Sequence, residues 1–161
     1  MTKPPARPRI LVLGTGGTIA GAARSRTGKA YGAGEVALET MLGDVAALGL
    51  EAELVPRPIA RIGSQDIGWP EWDALHRAIA AAEDDPDIDA VIVTHGTDTA
   101  EETAFLLDLT LPAGKPVVLV GAMRPSDAVG SDGMRNFANA VRVASDADSA
   151  GRGVLVVMAD T

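Results

Sequence analysis

Cysteine is absent from the sequence, which excludes disulfides, thiolate metal sites and a cysteine nucleophile. Aromatic residues make up only 3% while alanine occurs 28 times, so a core has to be built from small and branched aliphatic side chains. Basic charge is scarce: 14 Lys plus Arg stand against 22 Asp plus Glu, a formal net charge of −8. A mean field of that sign repels nucleic acid and anionic membrane surfaces, and neither is expected as a partner. A small acidic ligand answers to a local pocket instead and stays open. No run approaches the roughly 18 apolar residues of a membrane span. After the basic residues 1–9, the apolar run beginning at Ile10 is interrupted by Gly14-Thr15-Gly16-Gly17, too early for a signal peptide. The expected location is the cytoplasm.

What is present suits one domain: 161 residues, 47% of them hydrophobic, are enough to bury a core. Four short β-branched runs, at 10–13, 90–93, 117–120 and 154–157, are each bounded by Gly, Pro, Asp or Thr. Continuous apolar runs of this kind suit parallel strands covered on both faces. Residues 51–55 alternate in polarity and read as a weaker, edge strand. Between the runs, apolar residues recur at three- and four-residue spacing over 36–48, 69–83, 99–109 and 134–147, which predicts helices. The order β-α-β-α-β-α-β-α-β implies an α/β, doubly wound, mostly parallel sheet of about five strands with helices on both faces. Residues 1–8 read as a disordered tail and 9–161 as the domain.

In such a sheet the ligand site lies beyond the carboxyl ends of the strands. Three segments qualify: Gly14-Thr15-Gly16-Gly17-Thr18, Thr94-His95-Gly96-Thr97-Asp98-Thr99, and Gly121-Ala122-Met123-Arg124-Pro125-Ser126. All three are expected to converge on one crevice. The first is not a dinucleotide fingerprint, because Ile19 occupies the place of the third glycine. Nor is there a P-loop: Gly28-Lys29 is followed by Ala30, and Ala23 stands where the earlier glycine belongs. A glycine-rich turn with two hydroxyls, Thr15 and Thr18, remains. Such a hydroxyl is either a nucleophile or a local hydrogen-bonding group of a tight turn.

In the second segment, Asp98 or Thr99 followed three residues later by Glu101 or Glu102 makes a capping box, compatible with neighbouring side chains facing the crevice. His95 reads more readily as a satisfied packing residue than as a base, and His76 as a solvated one. With two isolated histidines and no carboxylate cluster at ligand spacing, no metal site is expected. Arg124 either binds an anion or anchors its loop through carbonyls, and the anchor is favoured. Ser64-Gln65-Asp66 follows Arg61-Ile62-Gly63 in a polar loop that leads into Trp69, and by itself reads as the entry to a helix.

Taken together, these segments resemble the bacterial-type asparaginase family, threonine-dependent amidohydrolases that act on L-asparagine and often L-glutamine. Residues 15–21 (TGGTIAG) are similar to the family's first signature and 94–103 (THGTDTAEET) to its second. IGSQD at 62–66, VGAMRPS at 120–126 and GVLVVM at 153–158 match further blocks. The resemblance implies Thr18 as the nucleophile that forms an acyl-enzyme ester, and Tyr31, on a Gly-rich loop, as the tyrosine that closes over it. It implies Ser64 and Gln65 as holders of the substrate's α-carboxylate and α-amino end, and Asp98 as the partner of its α-ammonium. Thr97 would stand opposite Thr18, positioning a water or supplying a second hydroxyl, its N–H a candidate oxyanion donor at a helix start. No cofactor is required, and the family's members are homo-oligomers.

One departure concerns the lysine that completes the family's threonine–aspartate pair, shortly after the strand that here ends at Met158. The lysines here are Lys3, Lys29 and Lys115. Lys3 is in the tail, Lys115 precedes its strand at the wrong end of the sheet, and Lys29 lies on the loop near Tyr31. The family's smaller C-terminal domain has no counterpart, and the apolar run at 154–158 stands close to the last residue. The expectation is therefore an N-terminal domain cut short, lacking part of the catalytic apparatus. The alternative is a fragment or domain that binds an acidic amino acid without turnover. The amidase half of a transamidation system is disfavoured by the net charge.

Overall fold

The structure, a computed structural model, describes residues 7–20, 22–23, 31–32, 38, 42–43 and 49–159. The expected tail therefore lies mostly outside the described residues, as do Lys3, Lys29 and most of the helix expected over 36–48, of which Leu38, Leu42 and Gly43 are helical.

The strands are β1 (Arg9–Gly16), β2 (Ala22–Ala23), β3 (Tyr31–Gly32), β4 (Glu53–Ile62), β5 (Ala90–Thr94), β6 (Val117–Val120) and β7 (Val154–Val157). The described α-helices are α1 (Trp69–Asp84), α2 (Ala100–Thr110) and α3 (Gly133–Ala144). Five strands form one parallel sheet in the order β4-β1-β5-β6-β7, while β2 and β3 pair antiparallel as a separate ribbon. The doubly wound expectation thus holds.

Alternation along each strand explains the apolar runs. Ile10, Val12, Ile92, Val118 and Val120 join Phe137 and Val141 of α3, with Leu38 and Leu42, on one face. Leu11, Leu13, Val91, Val93 and Leu119 join Leu75 and Ile79 of α1 and Leu107 of α2 on the other. Each large aliphatic so buried is worth about 1.5–3 kcal/mol of transfer free energy, and both faces need them, so no polar residue interrupts the runs. Among the described Phe, Trp and Tyr side chains, only Phe137 is fully buried, in keeping with the aliphatic composition.

The edge strand is longer than expected. Expected over 51–55, it runs from Glu53 through Pro56 and Pro58 to Ile62 as β4. Only β1 pairs with it, so one row of N–H groups has no ladder partner to lose, and proline is tolerated. The register of β1 with β4 shifts between Gly14 and Gly16, the latter facing Ile62. The last helix stops at Ala144 and is followed by a separate turn at Ala147–Ser149, where Asp146 caps the Asp148 N–H at 3.0 Å. His76 is half-buried rather than solvated: its Nε2 lies 3.2 Å from the Thr110 carbonyl, linking α1 to the end of α2.

Strand order reverses direction at β1. The chain passes from β1 to β4 on one side, then returns across β1 to β5 on the other. A crevice at the carboxyl ends of β1 and β5 is the consequence, because the connections leave in opposite directions there.

Candidate active site

The turn after β1 depends on two glycines. Gly16 (φ 105°) and Gly17 (φ 72°) adopt the left-handed region. A Cβ at Gly16 would stand 2.6 Å from the Ile62 carbonyl oxygen, and one at Gly17 would overlap the Gly96 nitrogen. Gly17 N–H donates to Ile62 O at 3.0 Å. Only bare backbone lets this turn lie between the end of β4 and the segment after β5. The structure then separates the two hydroxyls. Thr15 is fully buried and donates to the Thr94 carbonyl at 2.9 Å, a tie between β1 and β5. Thr18 opens the 3-10 turn Thr18–Ala20 at the mouth of β1.

Across from it, Thr97–Thr99 forms a 3-10 turn that leads into α2. The capping-box expectation is overturned here. Thr99 holds the N-cap position without a side-chain cap bond, and its hydroxyl donates instead to Ser64 O at 2.8 Å. Asp98 N–H donates to Ser64 Oγ at 3.0 Å. A tertiary partner has displaced the local one. Ser64 is buried and belongs to a 3-10 turn, Ser64–Asp66, in the loop that leads into α1, with Gly63 and Ile67 on either side extended. Gln65 and Asp66 are exposed and joined at 3.3 Å. Asp98 is exposed at the rim and Thr97 half-buried beneath it.

The third segment closes the ring. A Cβ at Gly121 would stand 2.8 Å from His95 O and 3.2 Å from Thr97 Cγ2. Thr18, Thr97, Asp98, Ser64 and Gln65 therefore belong to segments brought together, as the convergence of the three segments required. The backbone of Tyr31 pairs with Ala23, and its side chain lies outside the described residues. Lys115 is remote, its Nζ donating to Ala82 O at 2.8 Å and Asp85 O at 2.6 Å beyond the end of α1.

Three polar residues around the site were not legible in the sequence. Thr103, a full helical turn into α2, is completely buried and bonds both His95 and Trp72. Asp132 accepts from Met123 N–H at 3.0 Å and Arg124 N–H at 2.9 Å. Burial alone would raise its pKa, but these bonds, with those from its own N–H and from Asn136, hold it below the ordinary carboxylate value. Asn136, fully buried, donates to Gly121 O and to Asp132 and accepts from Ala159 N–H at 3.2 Å. It fastens the loop after β6 to the residue after β7, where Ala159 is held at φ 49°. Arg124 anchors its loop, donating to Gly130 O at 3.1 Å. His95 is a packed residue, and desolvation lowers its pKa against smaller opposing contributions from its bond to Gly96 and from Glu102. Among the described residues no group of three His, Asp or Glu side chains is arranged to hold a metal, and no helix is long and apolar enough to cross a membrane.

Fold and site together define a doubly wound α/β domain whose polar crevice sits at the topological switch point. Comparison with known proteins narrows this class. The family model described as Asparaginase, N-terminal matches residues 9–161. The chain belongs to that family. It is 48% identical over 151 residues to a probable periplasmic L-asparaginase of Haemophilus influenzae, covering 94% of this chain and 43% of that protein. It is 47% identical over 156 residues to L-asparaginase 2 of Escherichia coli K12, covering 97% of this chain and 44% of that one. The crystal structure of a probable cytoplasmic L-asparaginase from Campylobacter jejuni superposes with a TM-score of 0.90 at 42% identity, over 95% of this chain and 47% of the other. The chain thus spans less than half the length of these relatives, one of which is named as periplasmic and another as cytoplasmic.

Proposed function

We propose that this domain carries the nucleophile and the amino-acid-binding groups of an asparaginase-type amidohydrolase. The observation that carries the reading is the contact of the Gly17-Thr18 turn with Gly96-Thr97-Asp98 and Ser64 at the switch point, where no side chain separates the segments. In this reading Thr18 Oγ attacks the side-chain amide carbon of L-asparagine. The Oγ–C bond forms, the C–N bond breaks, and ammonia leaves with the hydroxyl proton. Water then adds to the ester, the C–Oγ bond breaks, L-aspartate departs and Thr18 recovers its proton.

The remaining groups suit a zwitterion. Asp98 at the rim pairs with the α-ammonium, while Ser64 and Gln65 hold the α-carboxylate and α-amino end. Thr97 positions the attacking water, and its N–H, near the start of α2, stabilises the oxyanion. Tyr31 closes over Thr18. Acyl transfer through a hydroxyl calls on no cofactor. Self-association into homo-oligomers belongs to the same reading. Ammonia release from L-asparagine, assayed on this chain and on Thr18→Ala, tests it: turnover lost in the variant is expected, and equal rates contradict it. Saturable L-aspartate binding without ammonia would favour a binding domain instead.

A further inference from the structure

His95 is the buried titratable group that the proposed chemistry leaves unused. It is 1% exposed and directly precedes the Gly96-Thr97-Asp98 turn. Its Nδ1 lies 2.6 Å from the Gly96 carbonyl oxygen, and its Nε2 2.9 Å from Thr103 Oγ1. Thr103 in turn receives Trp72 Nε1–H at 2.8 Å. For a neutral ring, the form burial favours here, only one arrangement of protons satisfies this chain. An indole nitrogen can only donate, so Trp72 occupies an acceptor position of the threonine oxygen. A carbonyl can only accept, so His95 carries its proton on Nδ1, and Nε2 accepts the Thr103 hydroxyl proton. The chain runs from α1 through α2 to the end of β5.

We propose that His95 is a positioning residue, held by Thr103 and Trp72, which fixes the Gly96–Thr97 peptide so that Thr97 N–H faces the crevice. The argument is geometric. Gly96 C=O and Thr97 N–H belong to one planar trans peptide and point in opposite directions. Holding the carbonyl toward His95 in the helix layer therefore aims the N–H away from it. Gly96 has no side chain with which to resist rotation, and it can have none: a Cβ there would stand 2.5 Å from Ser64 Oγ. The space that admits Gly17 and Ser64 leaves the carbonyl as the handle, and His95 grips it. The use of that N–H as an oxyanion donor rests on the function proposed above, whereas the grip itself does not.

The test combines nitrogen NMR of this chain with variants. In the unaltered chain, the His95 ring is expected to show a protonated Nδ1 and a bare Nε2. Thr103→Val and His95→Leu are expected to speed exchange of the Asp98 amide, which Ser64 Oγ holds next to the gripped peptide, by roughly tenfold or more, with exchange at Val91 to Val93 unchanged. Thr103→Ser and His95→Asn, which keep the relevant donors, are expected to restore protection. For ammonia release, kcat should fall roughly 10- to 100-fold in the disrupted variants with KM little altered, because an oxyanion donor acts in the transition state. A proton on Nε2 in the unaltered chain, or unchanged Asp98 exchange in both disrupted variants, overturns the proposal. A chain that releases no ammonia removes the functional reading alone, since the NMR measurements still decide the positioning. The tautomer is read without any substitution, so a variant that fails to fold does not protect the proposal.

Discussion

Asp98 donates its backbone N–H to Ser64 Oγ at 3.0 Å, joining two turns that lie 34 residues apart in the chain. The bond fixes the backbone of Asp98 and leaves its carboxylate at the rim, so the residue is anchored by one end and available at the other. Ser64→Ala is therefore expected to remove about 1 kcal/mol of stability and to weaken L-aspartate binding. Urea unfolding read beside calorimetric titration checks both effects. Thr99→Val removes only the companion bond to Ser64 O and should cost less affinity, because the Asp98 anchor survives.

The glycine turn makes a sharper prediction. At Gly17, Ala would combine a left-handed φ with overlap at Gly96, and the atoms it would meet are all backbone, with no flexible side chain to yield. Gly17→Ala is expected to cost about 1–3 kcal/mol from backbone strain before any clash is counted, and to displace the turn that carries Thr18. Gly43, helical with nothing within 4 Å of its Cβ position, is the control: Ala there should stabilise by about 0.5–1 kcal/mol. Thermal unfolding of the two variants compares them directly.

Thr15 and Thr18 should behave differently although three residues separate them. Thr15→Val removes the tie to Thr94 O from a fully buried site and should destabilise by about 1–2 kcal/mol, with Thr15→Ser retaining most of it. Denaturant midpoints measure this, and they separate a structural hydroxyl from a reactive one.

Acid should weaken the fold in two stages. His95 has a folded pKa below its free value of about 6.5, so its contribution is complete above that value and is lost as pH falls through the lowered one. Asp132, held low by the N–H groups of Met123 and Arg124, contributes fully above the ordinary carboxylate value and loses that contribution at still lower pH. Both signs agree: stability declines toward acid. Urea midpoints measured from pH 8 downward should begin to fall near pH 6.5, and His95→Asn should remove that first decline while leaving the second.

Much of this organisation was legible in the residues because it rests on burial. The four apolar runs became strands because both sheet faces are covered, and the polar segments after them met because strand ends share one edge of a parallel sheet. Contacts between distant turns were not legible. Asp98 and Thr99 read as caps since their spacing to Glu101 and Glu102 is local, whereas Ser64 reaches them only through tertiary structure. Thr103, Asp132 and Asn136 sit within helices or their approaches, where a polar residue ordinarily faces water; here Thr103 and Asn136 meet imidazole and backbone in the interior, and Asp132 meets backbone N–H groups from partly buried ground. The edge strand was expected only where polarity alternates, over 51–55; its run through Pro56 and Pro58 to Ile62 depends on an edge position, a property of the sheet that local sequence does not announce.

The central claim is that Thr18 supplies the attacking oxygen, and ammonia release from L-asparagine measures it most directly. Slow ammonia release by the unaltered chain that drops to background in Thr18→Ala, while Thr15→Ser keeps the unaltered chain's rate, is the predicted result. Equal rates in the unaltered chain and in Thr18→Ala would contradict it.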